Sequence, residues 1–466
     1  MAIDVSTTAC KVFIFDSYGN IIAEAYRAIP LFYPRPDWVE VDANDWWNLT
    51  VECIHEVLNF LPSLQIDCIG ICGLMHALVP IDSFGKPLDR VMLWMDQRCK
   101  PQCEWMQNNV SSSLGYARET IPTYYSAPKL RWLVENKPDI VDKTYKFMFG
   151  KDYIRLKLTD EYATDESDAS GSALFDNKRK CWSDEILGLL GIPVSKMLPI
   201  RGSTEIAGYV TKNASEETGI PSGTPVIVGA ADVRSTLIGV NIYTPGRTCL
   251  YMGTAAWMAT SDENGFINWV GSTATFGVGL RWCRDIFDGS MDYLEMFNLA
   301  QEVPPGSDGV IFFPHLMGER MPKYNPYAKG TIFGLTLSHQ KKHIIRAILE
   351  GNAYLIRQMI DNFGHNRISN ITATGGGAKS TLWLQIISDV TQKVVSVPKV
   401  IEATALGVVI LSAVGIGVFD SLSDAMGQLV HIHDICFPEE RGYNRLYDLY
   451  RRIDDELEKF YKETSL

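Results

Sequence analysis

The chain has 466 residues, a formal net charge of −12, 46% apolar and 21% charged residues, and ten cysteines. That length exceeds one ordinary core and points to two or three domains, while the composition is that of a globular protein and excludes disordered and fibrous classes. The acidic balance excludes a broad nucleic-acid face while allowing local anion binding; no apolar run reaches the ~18 residues that span a bilayer and no basic n-region opens the sequence, so a cytoplasmic location is expected. The cysteines form no CxxC pair, and their closest spacings, Cys68 to Cys72 and Cys99 to Cys103, suit reduced, buried thiols better than zinc ligands or a disulfide framework.

In chain order, "IDVSTTACKVFIFD" and "IIAEAYRAI" predict a strand meander whose first turn carries Asp4, Ser6, Thr7 and Thr8. Turn chemistry alone explains an acid beside hydroxyls; a phosphate and metal site explains it equally. With only Met1, Ala2 and Ile3 before Asp4, the first strand is expected to have almost no anchor on that side. "DANDWWNLTVECIHEVLNFL" predicts a capped amphipathic helix, "IDCIGICGLM" a strand, and "ALVPIDSFGKPLDRVMLWMDQR" a hairpin. Near the middle, "GTPVIVGAADVRSTLIGV" predicts a buried strand, a small-residue turn and a helix, and "TPGRTCLYMGTAAWMAT" a second hairpin with hydroxyl and small residues at its tip. The two hairpins, near residues 6 and 254, echo each other and suggest related halves with a boundary between residues 240 and 247. Farther on come the long helix "HIIRAILEGNAYLIRQMIDNF", the strand-turn-helix "ISNITATGGGAKSTLWLQIISDV", and "EATALGVVILSAVGIGVF", a small-residue helix expected to pack on that glycine turn. "RLYDLYRRIDDELEKFYKE" reads as a charged surface helix.

Four constellations can carry chemistry. The triple glycine Gly375, Gly376 and Gly377 with Ala378 follows a strand and opens a helix, where backbone N–H groups can meet an anion; it matches neither a Walker loop nor GxGxxG, and a plain tight turn explains it as well. Asp232 ends "GAAD" at a helix start, where it can act as an N-cap, as a base for a substrate hydroxyl, or as both. Met75 and His76 end one strand, and Trp94, Asp96 and Arg98 end the next. An aromatic, an imidazole and a carboxylate at neighbouring strand ends suit a polyol, although a His among apolar neighbours is often structural.

Together these elements resemble the FGGY carbohydrate kinases. The segments that carry the resemblance run in order from residue 1 to about 420: "IDVSTTACKVFIFD", "MHALVPID…LWMDQR", "GAAD", "YMGTAAW", "FFPHLMGERMPKYNPYAKGTIFGL", and "ATGGGAKSTLW" with "EATALGVVILSAVG". Within the family, "PRPDWVEVDANDWW", "GLMHAL", "SAPKLRWL" and "GKDYIRLKLTDEYATDESDASGS" look most like xylulokinases, whereas "GVGLRWCRDIF" and "GLTLSHQKKHIIRAILEG" look at least as much like gluconokinases.

The resemblance implies an α/β fold of two ribonuclease-H-like, actin-like ATPase domains with an interdomain cleft: residues 1–243 for sugar binding and the catalytic aspartate, residues 244–466 for ATP. It implies transfer of the γ-phosphoryl group of ATP to a hydroxyl of an open-chain sugar, D-xylulose first, gluconate or another ketose or polyol as the alternative. A binding-only sugar or nucleotide regulator is the reading of another class, and an actin-like structural protein is disfavoured by the sugar segment. By the same resemblance Asp232 is the base, and Met75, His76 and Trp94 hold the sugar. Asp4 holds Mg²⁺ through water, Thr7, Thr8, Lys11, Gly253 and Thr254 line the phosphates, and Gly375, Gly376, Gly377 and Ala378 border the adenosine. Ser6 stands where the family pattern has glycine, Leu74 where xylulokinases have glutamine, "GAAD" replaces Gly-Gly before the aspartate, and "GTAAW" replaces Gly-Thr-Ser. The expected partner is a small sugar, with neither nucleic acid nor membrane; homodimers are common in families of this kind.

Overall fold

The structure, a computed structural model, describes residues 1–61, 64–110, 121–263, 267–287, 289–321, 323–325, 327–461 and 463. Two compact units emerge. One comprises Met1–Gly239 with Thr404–Leu429 returned to it, the other Val240–Ala403 with Val430–Leu466. The sequence boundary at 243/244 thus differs by a few residues, and the later half is not one contiguous body. Among the described residues no helix is long and apolar enough to cross a membrane.

The first unit is built on a five-stranded sheet. Its strands Ala2–Val5, Ala9–Phe15 and Ile21–Ala28 form the expected antiparallel meander; Gly70–Gly73 pairs parallel to the first strand, and Ala230–Ala231 parallel to Gly70–Gly73 at the edge. The first strand is therefore central, buried along its length and held on both sides, which corrects the expectation of a poor anchor: lateral pairing replaces chain before it. Asp42 caps the helix Ala43–Phe60 by accepting from Asn44 N at 2.9 Å, and that helix seals the sheet with Trp46, Cys53, Ile54 and Val57.

One expectation fails here. The segment 77–98 makes a tight turn at residues 80–88, but Val79–Ile81 pairs with Lys146–Met148 and Val91–Met92 with Glu40–Val41, so the strands of the expected hairpin part. The small-residue helix Ala403–Gly415 packs closely on elements of the first unit, to which the chain returns from Thr404. A Cβ on Gly407 would lie 1.8 Å from Ser235 O, and one on Gly70 would lie 2.3 Å from Ser412 Oγ, so glycine on both partners permits the approach.

The second unit repeats the plan. Thr248–Met252, Ala256–Ser261 and Ile267–Ser272 form an antiparallel meander; Asn370–Thr374 pairs parallel to its first strand, Val394–Pro398 parallel to that, and Ile432–Cys436 closes the edge. The internal echo in the sequence is thus a repeat of strand order. Helix Lys341–Phe363 crosses the core with Ile345, Ile348, Ile356 and Met359. Helix Tyr443–Tyr461 is more than a charged surface helix, since Tyr443, Tyr447, Tyr450 and Tyr461 make a buried stripe at helical spacing.

Candidate active site

In the first unit the site grows from the ends of three adjacent strands. Sheet register sets Lys11, Asp4, Cys72 and Ala230 in one row, with Asp4 paired to both Lys11 and Cys72. Asp4 is buried, and its Oδ1 accepts from the Cys72 thiol at 3.4 Å. The turn after the first strand is closed by Ser6, whose N and Oγ both donate to Ala9 O at 2.9 Å. Ser6 is absent from the residues with positive φ, so serine fits this turn and adds a bond that glycine cannot make. Thr8 is left exposed, and Thr7 Oγ1 accepts from Trp94 Nε1 at 2.8 Å. The sugar-segment tryptophan and the hydroxyl hairpin therefore meet.

Asp232 opens the helix Asp232–Gly239, and its Oδ1 accepts from Val233 N at 2.8 Å. Its turn requires glycine at one place: Gly229 has φ +80°, and a Cβ there would lie 2.0 Å from Ile71 O. Ala230 and Ala231 sit buried in the sheet without strain, which accommodates the departure from Gly-Gly. Burial first, and the neighbouring carboxylate of Asp4 second, push the Asp232 carboxyl up to about 7. Such a group takes a proton near neutral pH.

Past the strand Gly70–Gly73, Leu74 turns into the core, so it offers nothing to a sugar. Met75 and His76 are half-buried, and His76 adopts φ +71°. Its carbonyl accepts from Lys129 Nζ at 3.1 Å, which also reaches Tyr124 O at 3.1 Å. The imidazole packs on Tyr124 and Tyr125 at centroid distances of 5.3 and 5.6 Å, while its Nδ1 is buried with no hydrogen-bond partner. Burial, then the Lys129 charge, push His76 down to about 3, so the ring is neutral; burial likewise lowers Lys129 to about 8. Gly171 makes the room, since a Cβ there would lie 2.2 Å from Met75 Cε.

Asp96 and Arg98 do not join the site. Arg98 forks onto Asp96, pairs with Glu40 at 2.8 Å, the three charged side chains all buried, and stacks on the partly buried Trp38 at 3.6 Å; Asp96 also accepts from Val39 N. Their role is structural. Lys129, Tyr124, Tyr125 and Gly171 were not singled out from the sequence, although "SAPKLRWL" and "TDESDASGS" contain or adjoin most of them.

In the second unit the hairpin tip leaves Thr254 exposed and Gly253 half-buried. Gly253 O accepts from Gly277 N at 3.0 Å, and Thr254 O accepts from Phe276 N at 2.9 Å and Val278 N at 3.2 Å, tying the tip to the start of helix Gly277–Phe287. Met252, at the end of the preceding strand, lies against the triple glycine: a Cβ on Gly375, at φ +87°, would be 2.9 Å from Met252 O, and one on Gly377 2.9 Å from Met252 Cβ. Gly376 is exposed with nothing within 4 Å of such a Cβ, leaving open space. Ala378 is buried in the core, so only its backbone can border a ligand. In the "PHLMGERMPKYNPYAKG" segment Pro322 and Pro326 lie outside the described residues.

Among the described residues no cluster of three or more His, Cys, Asp or Glu could hold a metal. A hard cation such as Mg²⁺ needs no such cage; it keeps its waters and takes one or two carboxylates plus substrate phosphates. Asp4, a buried carboxylate at a strand end, fits that donor set as its one protein ligand.

Comparison with known proteins places the chain among carbohydrate kinases. Residues 1–239 match the FGGY family of carbohydrate kinases, N-terminal domain, and residues 246–416 match its C-terminal domain. The chain is similar to a xylulose kinase of Bacillus subtilis (28% identity, 97% of this chain and 96% of the relative) and to a gluconokinase of the same organism (30% identity, 100% and 97%). Among solved structures, a ligand-bound xylulose kinase from Lactobacillus acidophilus superposes with a TM-score of 0.88 at 25% identity, and a gluconate kinase from that organism with 0.87 at 26%, each covering 99% of both chains.

Proposed function

The chain belongs to the FGGY family of carbohydrate kinases and is a sugar kinase, and from that premise we propose that its acceptor is an open-chain ketose, D-xylulose first, with Asp232 as the base. The observation that carries the base assignment is the Asp232 carboxyl, raised to about 7 at a strand end beside Asp4. The acceptor hydroxyl gives its proton to the Asp232 carboxylate as its oxygen bonds to the γ-phosphorus of ATP, while the bond from that phosphorus to the ADP oxygen breaks. Such transfer depends on positioning and charge neutralisation more than on covalent chemistry.

The roles follow the geometry of each unit. Met75 presents an apolar surface to the C–H face of the sugar, the neutral His76 a polar edge, and Trp94, fixed by Thr7, a second wall. Thr7, Thr8 and Lys11 in one unit, and Gly253 and Thr254 in the other, line the phosphates; Gly375, Gly376 and Gly377 border the adenosine, with the backbone of Ala378 behind them. Asp4 would hold Mg²⁺, which when bound would supply neutralisation of the phosphate charge.

A neutral sugar is favoured over an aldonate by the state of the cations around His76. Lys129 is already bound to two carbonyls and Arg98 to two carboxylates, so neither waits for a substrate carboxylate. The aldonate reading keeps one specific support, the 30% identity to a gluconokinase. The test is ADP release across ketoses, polyols and aldonates beside Asp232→Asn. Turnover on a D-ketopentose with near-complete loss in the variant supports the reading; turnover on gluconate alone overturns the ketose assignment, and an undiminished variant overturns the base. A cytoplasmic location and a homodimer belong to the same proposal; size-exclusion chromatography with light scattering reads the latter.

A further inference from the structure

The segment 164–172 and the helix Gly150–Thr159 carry five ionisable side chains that the reaction does not use. Lys151, Asp152, Arg155, Asp165 and Asp168 all have fully buried side chains. Lys151 Nζ lies 2.7 Å from Asp152, 3.0 Å from Asp165 and 2.9 Å from Asp168, and Arg155 Nη1 lies 3.0 Å from Asp152. Burying so many charges is costly and is weak evidence of stabilisation by itself. What the cluster grips is more informative.

Arg155 and Asp165 connect the cluster to the turn that ends in Asp232. Arg155 Nη1 donates to Val228 O at 2.8 Å, and Nη2 to Ala163 O. Asp165 Oδ2 accepts from Ser167 N at 2.9 Å, from Ser203 Oγ at 3.1 Å and from Ser167 Oγ. Ser203 O in turn accepts from Gly229 N at 3.0 Å. Ser167 Oγ, with its proton committed to Asp165, accepts from Ala231 N at 2.8 Å. Ala230–Ala231 is the edge of its sheet, so Ser167 supplies on the outer side what a neighbouring strand would otherwise supply. Val228, Gly229 and Ala231 are thus each held within four residues of the base.

We infer that Ser167, oriented by Asp165 and through it by Lys151, is a positioning residue that fixes the backbone before Asp232 and so the direction of its carboxylate. The inference rests on Asp232 being the base. At the other end of the same short segment, Gly171 borders Met75 and His76, so one element braces both the base and the sugar residues.

The experiment compares Ser167→Ala, Ser167→Thr, Asp232→Asn and the double variant Ser167→Ala/Asp232→Asn, with Glu166→Gln as a control on the exposed side of the short helix Glu166–Ser170 that carries Ser167. The expected result is a kcat of Ser167→Ala lowered about 10- to 100-fold, the scale of a misplaced catalytic group. KM for sugar and ATP should stay within about twofold, the scale of a contact that touches neither substrate. Ser167→Thr, which keeps the hydroxyl, should recover most of the rate, Glu166→Gln should match wild type, and the double variant should be no slower than Asp232→Asn, because a residue acting only through Asp232 has nothing left to lose. If the alanine variant does not fold, Ser167→Cys, with its poorer acceptor, carries the same comparison. A wild-type kcat in Ser167→Ala beside an inactive Asp232→Asn overturns this inference alone, as does a full additive loss in the double variant. An undiminished Asp232→Asn overturns the base assignment and the inference together.

Discussion

Asp232 should hold the enzyme's stability below what its fold could reach, and Asp232→Asn should release it. Burial and the Asp4 carboxylate lift its carboxyl from the ordinary 3.8 to about 7. The folded chain therefore holds this proton more tightly than the unfolded chain between those two values. The sign follows from linkage: the stability this proton lends is full below about 3.8, is lost as pH rises, and is gone above about 7. The interval, at roughly 1.4 kcal/mol per pH unit, corresponds to about 4 kcal/mol, trimmed to roughly 2–4 because the side chain is only half-buried. Asparagine resembles the protonated acid at every pH, so the variant should match wild type near pH 4 and gain progressively up to pH 7. At about 2 °C per kcal/mol the gain at pH 8 is roughly 4–8 °C in melting temperature. Scanning calorimetry of both proteins without ligand, from pH 4.5 to 8, reads it. A melting difference that does not change with pH refutes the reasoning, because it places the carboxyl at its ordinary value.

Asp4→Asn removes the second cause of that shift, so the acid limb of kcat/KM should move to lower pH and the Mg²⁺ concentration for half-maximal rate should rise; an unmoved limb places the two carboxylates out of reach of each other. Gly171→Ala puts a Cβ 2.2 Å from Met75 Cε, and should raise KM for sugar about tenfold while leaving KM for ATP unchanged in steady-state assays. Gly375→Ala adds a Cβ against Met252 O at φ +87°, which should cost about 1–3 kcal/mol in denaturant unfolding and raise KM for ATP, whereas Gly376→Ala, with nothing within 4 Å, should keep wild-type stability.

What could be read from the residues was whatever local chemistry dictates. Asp, Ser and Thr between two β-rich runs could hardly be anything but a hairpin tip, and the two tips at residues 6 and 254 announced a repeat that the strand orders bear out. Asp42 before an amphipathic run marked the helix Ala43–Phe60. Choices made by distant partners were hidden. The strands Val79–Ile81 and Val91–Met92 are three and two residues long, too short for alternation to name a partner, and each pairs with a distant segment. The small-residue helix Ala403–Gly415 can approach any backbone closely, so its composition could not say which unit it joins. Lys151, Asp165 and Asp168 carried no signal of their own, because nothing local shows that three acidic and two basic side chains converge out of water.

The repeated strand order explains why the proposed base, the proposed sugar residues and the glycine turn sit where they do. In parallel sheets ligands gather beyond the carboxyl ends of strands, where backbone groups lose their ladder partners. In the first unit the strand parallel to the first ends in Gly73 and runs on into Met75 and His76, and the next ends in Ala231 and runs into Asp232. In the second unit the strand in the same place, Asn370–Thr374, runs into Gly375, Gly376 and Gly377. One topological position thus carries two surfaces. In the first unit side chains of varied chemistry line it and can distinguish hydroxyls; in the second, glycines leave bare backbone and open space, which suits a nucleotide approached closely. That division predicts that substitutions after Gly73 alter the choice of sugar, while substitutions after Thr374 alter nucleotide affinity with the sugar preference intact. A Gly376→Ala variant that changed the ranking of sugars at saturating ATP would break the division.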